Sequence, residues 1–181
     1  MAGLPDPVEM GLSTEQQELY DRLVAKRGRI DGMYRSLLNH PDLLRRVSEL
    51  GTFFRFGESV LPDEARELAI LWSAGRLGAG YEWVKHVPPA RAAGLSEAVI
   101  EAARQGRVPD DLSPALAAVI EGVRCVLCLR SLPEGTQKAL EEAYGIKGAL
   151  ELVALCGFYR MIAGVIAAFD VPLPEGEREP F

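Results

Sequence analysis

A glutamate and a histidine stand four residues apart in GAGYEWVKHVPP, residues 78 to 89. On a helix, Glu82 and His86 share one face, near enough for a carboxylate to orient an imidazole. A neutral imidazole takes or gives a proton near pH 7, and a neighbouring carboxylate fixes which ring nitrogen carries it. The same spacing suits an ordinary solvated pair on a helix surface, just as Tyr81 and Trp83 beside it suit a packed core. A second spacing with chemical meaning is Cys125 and Cys128 in CVLC. Such a pair is a redox dithiol when a helix N-terminus or a cation acidifies one thiol. Here it lies deep in an apolar helical run, where burial raises a thiol pKa. Both cysteines therefore read as inert core residues, with Arg124 and Arg130 the charges that could acidify them. No second Cys or His pair completes a zinc site. Neither a Gly-rich phosphate loop after a strand nor a Gly-x-Ser-x-Gly elbow occurs.

The elements that must carry these residues read as helices throughout. Ser13 followed by Gln16 forms a capping box ahead of an amphipathic helix with Leu19, Leu23 and Val24 on its stripe. A short helix then breaks at His40-Pro41, His40 being a helix-end residue, and Leu43, Leu44, Val47 and Leu50 mark the next one. LPDEARELAILWSAGRLGAG has Pro62 at its start, acids in its first turn and glycines at its end. It is apolar on most sides, so it belongs at the centre, where Arg66 and Glu67 need partners. The helix of Glu82 and His86 follows, expected to kink or break near Pro88-Pro89 and to end by Gly94. A short helix capped near Ser96, one through SPALAAVIEGVRCVLCLRSL, another through PEGTQKALEEAYG and a long run over 148 to 169 complete an all-α chain. Residues from about 170 to 181 read as an extended or flexible tail.

Length and charge narrow the function. A chain of 181 residues fits one domain spanning 1 to 181, with enough length for a real core. It is 48% hydrophobic and 25% charged, the balance of an ordinary globular protein. A net charge of -6 argues against nucleic acid or an anionic membrane surface as partner, so an anionic ligand needs a local cluster of arginines. The N-terminal stretch has no basic region followed by an apolar core, and the three cysteines do not suggest a disulfide framework; both point to a cytoplasmic protein. The run from 149 to 169 could span a bilayer by length, but Glu151 and Arg160 inside it favour a buried helix.

The order and spacing of RELAIL, YEWVKH and ARAAGLSEAVI, within residues 61 to 106, resemble the carboxymuconolactone decarboxylase and alkylhydroperoxidase-D-like superfamily. LLNHPDLLRRVSELG before them and ELVALCGFYRMIAGV after them resemble its flanking helices. The resemblance implies an alkylhydroperoxidase-D-like helical bundle assembled as a homotrimer or homohexamer, and the apolar helices over 63 to 77 and 148 to 169 suit partner subunits.

The peroxidase branch of that superfamily uses a glutamate, a Cys-x-x-Cys pair and a histidine. By spacing these fall on Glu67, Ala79, Glu82 and His86, so both thiols are missing and the route through sulfenic acid is closed at this site. The non-redox branch carries a glutamate and histidine four apart, as in EWVKH. The resemblance implies an acid/base enzyme acting on a small carboxylated lactone or related activated acid, with no cofactor and no metal. His86 is the expected proton donor, Glu82 its orienting partner, and Glu67 a second acid/base or the partner of an arginine. Arg66, Tyr81 and Arg160 are the expected substrate contacts, the arginines either through bidentate pairing to a carboxylate or held instead in structural ion pairs. Two alternatives stay open: a noncatalytic oligomeric binding module, and a thiol peroxidase using Cys125 and Cys128.

Overall fold

The structure is a computed structural model that describes residues 3–30, 32–57 and 59–181. Among these residues there are helices and no strands. In chain order they are α1 (Pro7–Met10), α2 (Thr14–Arg27), α3 (Gly32–Leu37), α4 (Pro41–Arg55), α5 (Asp63–Leu77), α6 (Gly80–Ala92), α7 (Glu97–Gln105), α8 (Pro114–Leu127) and α9 (Glu134–Ala168). The starts obey local chemistry. Ser13 and Gln16 form the reciprocal capping box of α2, and the His40 side chain accepts from the Leu43 N–H at the head of α4. Ser96 and Ser113 cap α7 and α8 in the same way. The single turn α1, capped by Asp6, was not expected from the sequence.

Helix α5 is the axis of the fold. Every residue from Glu67 to Ala74 is buried, and α6, α7, α8 and α9 pack around it. This helix is covered by its own chain, so its apolar character requires no partner subunit, contrary to the sequence expectation. It ends on Gly78, in the left-handed conformation at φ 62°, ψ 31°, where a side chain would be strained. Only Gly78 and Ala79 separate it from α6, which packs back along α5 as one arm of a helical hairpin.

Helix α6 runs through Pro88 and Pro89 without a break. Each proline lacks an N–H and leaves a carbonyl one turn earlier without its helical donor, yet the α6 backbone stays helical to Ala92.

Helix α9 turns at Gly145 (φ 70°, ψ 172°), so it is two helices joined end to end, as the sequence division implied. By length and composition α9 could cross a membrane. In the fold one face of its second half is buried, through Leu152, Leu155, Cys156, Tyr159 and Ile162. The opposite face is not buried: Ile146 is 69% and Leu150 66% exposed, with Val153 and Met161 beyond them. Glu151 accepts hydrogen bonds from the Ser59 hydroxyl (2.7 Å) and the Val60 N–H (2.9 Å), which explains its place in so apolar a run. The tail after α9 runs over the surface to α6 and α7, where the Phe181 ring meets Trp83 at 5.3 Å and Arg104 donates to the Pro180 carbonyl.

Candidate active site

Residues 67 and 86 lie on the two arms of the α5–α6 hairpin, and their side chains meet between the two helices. His86 Nδ1 and Glu67 Oε2 are 2.7 Å apart, with Glu67 1% and His86 4% exposed. Burial alone would raise the Glu67 carboxyl, but the His86 ring, Arg55 and Arg66 outweigh it and hold the group below the usual carboxylate range. Burial likewise pulls the His86 pKa down, more than Glu67 raises it. The pair is thus an ionised carboxylate accepting from a neutral imidazole whose proton sits on Nδ1.

The other ring nitrogen is also engaged. The Tyr159 hydroxyl, arriving from α9, lies 3.1 Å from His86 Nε2, and the two rings meet edge to face at 5.1 Å. Since Nδ1 holds the imidazole proton, Nε2 offers a lone pair and Tyr159 donates to it. Burial pushes the Tyr159 phenol far above its ordinary pKa, so it is a neutral hydroxyl.

Glu82 does not orient His86. Both ring nitrogens are occupied by Glu67 and Tyr159, and neither Glu82 carboxyl oxygen has a hydrogen-bond partner among the described residues. At 3% exposure, with no cation on it, Glu82 is pushed by burial from 4.5 to about 7. The i, i+4 spacing was read correctly as a shared face, but the orienting carboxylate comes from the neighbouring helix.

Glu82, His86 and Tyr159 line a cavity of about 280 Å³. Met33, Tyr34, Phe158 and Ile162 give it an apolar and aromatic wall, and Tyr81 lines it as expected. Gly51 faces the same space: a methyl group there would lie 2.6 Å from the Tyr34 hydroxyl, so only glycine lets that ring sit where it does. Arg27, Arg29, Arg55 and Lys85, more exposed than the acids and the imidazole, form the cationic part of the lining. The Arg27 guanidinium lies over the Tyr34 ring at 4.6 Å and donates to the Ser48 carbonyl and the Thr52 hydroxyl. Arg55 lies 5.7 Å from the centre of the Phe56 ring.

The two arginines singled out from the sequence are elsewhere. Arg66 is tied to Asp63 at 2.9 Å and to Glu67 at 3.4 Å and does not line the cavity; it supports the Glu67 charge. Arg160 is exposed and donates to the Leu127 carbonyl. Its neighbour Tyr159 holds the inward position, because adjacent residues on a helix point about 100° apart. The buried stripe of Leu152, Leu155, Cys156 and Ile162 was the signal that could have picked out Tyr159.

The cysteines lie outside the cavity. Cys125 is buried, and burial together with Glu121 raises its thiol pKa. Cys128 is exposed at the C-terminal end of α8, which corrects the expectation that both are core residues. Among the described residues no group of three or more His, Cys, Asp or Glu side chains is placed to hold a metal ion.

Comparison with known proteins agrees with this geometry at the level of fold. The model of the carboxymuconolactone decarboxylase family matches residues 41–124, which run from α4 through most of α8 and include Glu67, Glu82 and His86. An uncharacterized peroxidase-related protein from Ralstonia eutropha JMP134, described as an alkylhydroperoxidase AhpD core, superposes with a TM-score of 0.80 at 16% identity, covering 96% of this chain and 93% of its own. A peroxidase-related protein from Silicibacter sp. TM1040 gives 0.76 at 16% identity, covering 96% and 92%. The debrominase Bmp8, as a cysteine-to-alanine variant in complex with 2,3,4-tribromopyrrole, gives 0.71 at 15% identity, covering 97% and 92%. No curated protein matches the sequence at a significant level. The stretch that carries the site helices thus matches the carboxymuconolactone decarboxylase family, and nearly the whole chain shares the alkylhydroperoxidase-D-like fold.

Proposed function

We propose that this protein is an acid/base enzyme that moves protons on a small carboxylated lactone or a similar activated acid. The observation that carries this reading is the convergence of two opposed groups on one cavity: Glu82, a carboxyl whose pKa burial raises to about 7 so that it keeps its proton far above the ordinary carboxylate range, and the neutral His86 imidazole, backed by the Glu67 carboxylate. Titratable groups whose surroundings push them to opposite roles are the signature of an acid and base pair.

For a decarboxylation, the bond between the substrate carboxylate and its neighbouring carbon breaks and carbon dioxide leaves. The electron pair spreads into the conjugated carbonyl, and Glu82 delivers its proton to the carbon that retains it. Glu82 becomes a carboxylate and is reprotonated from solvent. Arg27 and Arg55 supply the positive charge that draws an anionic substrate to the cavity of a protein that is acidic overall. Neither cysteine position of the peroxidase branch holds a thiol, since Ala79 and Glu82 stand there, and the cavity is lined by no cysteine.

A homotrimer or homohexamer is part of the same proposal, supported by the exposed apolar face of α9 at Ile146, Leu150, Val153 and Met161.

The reading is tested by turnover of carboxymuconolactone, followed by a panel of carboxylated lactones and β-keto acids. Glu82→Gln is expected to reduce kcat by about a hundredfold or more on any compound the wild type decarboxylates, and His86→Gln by as much on any compound that must also give up a proton. Turnover of none of them, with unchanged ligand binding in a stably folded His86→Gln variant, would replace this reading with a noncatalytic binding module.

A further inference from the structure

His86 lines the cavity, but neither of its ring nitrogens is free to meet a substrate in this geometry. Nδ1 is held by Glu67 at 2.7 Å, Nε2 faces the Tyr159 hydroxyl at 3.1 Å, and the ring is 4% exposed. Any proton that reaches the imidazole must come through the group already hydrogen-bonded to its free lone pair. We propose that Tyr159 is the residue that touches the substrate on the basic side of the site, and that His86 and Glu67 act behind it. This deepens the acid/base reading of the cavity and rests on it.

Three observations support the assignment. Tyr159 lines the cavity together with Glu82 and His86, and its hydroxyl is the group that covers the imidazole Nε2 there. It comes from α9, independently of the hairpin that pairs Glu67 with His86, and its ring is fixed by edge contacts with His86 at 5.1 Å and Phe158 at 5.4 Å. Its hydroxyl donates to Nε2 and keeps oxygen lone pairs free to accept. The charged and titratable groups close enough to act on it are His86, Arg55, Glu67, Tyr34 and Glu82.

The proton movement balances without a further reactant. A C–H or O–H bond of the substrate breaks and its proton passes to the Tyr159 oxygen, while the electron pair stays on the substrate. The original Tyr159 O–H proton moves to His86 Nε2, and the resulting imidazolium is paired with the Glu67 carboxylate. Tyr159 is neutral before and after, so its high phenol pKa is no obstacle to a concerted transfer. Glu82 then supplies a proton at the position where the substrate charge has gone. Tyr159 and Glu82 together would move a proton between two positions of one substrate, which extends the chemistry of the site to isomerisation of the same class of carbon acid.

The test uses the full-length protein, with deuterium incorporation from D₂O into carboxylated lactones and β-keto acids followed by NMR. Tyr159→Phe keeps the ring and removes only the hydroxyl. It should lower the exchange rate by about a hundredfold, the scale of general acid/base catalysis, with KM changed less than about threefold. The Tyr159→Phe and His86→Gln double variant should be no slower than the slower single variant, since both act on one path. The ¹⁵N resonances of His86 should keep the proton on Nδ1 in Tyr159→Phe. Exchange within about threefold of wild type in Tyr159→Phe, with His86→Gln still impaired, would overturn the role of Tyr159 and leave the acid/base reading standing. A tautomer change in Tyr159→Phe would overturn it too, by making the hydroxyl a structural support. Absence of exchange by the wild type on every compound would remove both the role and the reading beneath it.

Discussion

Glu67 and His86 belong to successive helices, and their side chains meet at 2.7 Å inside the core. The carboxylate can only accept, so it places the imidazole proton on Nδ1 and leaves Nε2 as a base. Glu67→Gln keeps the shape and removes that instruction. The amide can present its NH₂ to Nδ1, which moves the imidazole proton to Nε2 and reverses the Tyr159 hydrogen bond. We expect activity to fall by at least about tenfold and the ¹⁵N spectrum to show a protonated Nε2. A Glu67→Gln variant with wild-type rate and tautomer would show that Arg66 and Glu67 form a structural pair only.

Glu82 makes stability depend on pH in a definite direction. Its folded pKa of about 7 stands above the ordinary 4.5, so the folded state binds the proton more tightly than the unfolded chain. The contribution is complete below pH 4.5 and is lost as pH rises through 7. The loss is about 3 kcal/mol between those limits. Denaturant unfolding at pH 5 and pH 8 should show Glu82→Gln gaining on the wild type by roughly that amount at the higher pH. Equal differences at both pH values would mean that Glu82 titrates as an ordinary carboxylate.

Arg27 and Arg55 line the cavity, whereas Arg160 lies outside it. For an anionic substrate, Arg55→Leu should raise KM by about tenfold or more, the loss of one charge-assisted contact, with a smaller change in kcat. Arg160→Ala should leave both constants within about twofold. An Arg160→Ala effect larger than that of Arg55→Leu would move the substrate to the outer face of α9.

The thiols should separate into two groups. Cys128 is exposed, while Cys125 and Cys156 are buried, and burial pushes the Cys156 thiol up to about 12. Titration of the native protein with a disulfide reagent should label one cysteine quickly and two slowly. Rapid labelling of Cys125 and Cys128 together, with hydroperoxide turnover abolished by Cys128→Ser, would restore a peroxidase reading.

Much of this was legible in the sequence where local chemistry decides structure. The capping box of Ser13 and Gln16, the serine cap at Ser96 and the glycine stop at Gly78 put their helices where they are found. The spacing of Glu82 and His86 also put both on one helix face, and both line the cavity, whereas Glu67 stands behind the imidazole and not in the lining. What one helix cannot encode is the partner it meets. The carboxylate four residues before His86 was the natural candidate to orient it, yet Glu67 is brought to the ring by a hairpin whose turn lies between them. Tyr159 and Arg160 are chain neighbours, and only the periodicity of the buried stripe on α9 separates the inward hydroxyl from the outward guanidinium. The arginines of the cavity come from the ends of α2 and α4, far from the motif in sequence, with nothing local to connect them to it.

Infrared difference spectroscopy of wild type against Glu82→Gln, taken from pH 4 to pH 9 in D₂O, reads the protonation of Glu82 without needing a substrate. We expect the carbonyl stretch of a protonated carboxyl to persist at neutral pH and to vanish with a midpoint near 7. A midpoint near the ordinary 4.5 would mean that Glu82 is ionised at neutral pH, and the cavity would then hold no acid to oppose its base.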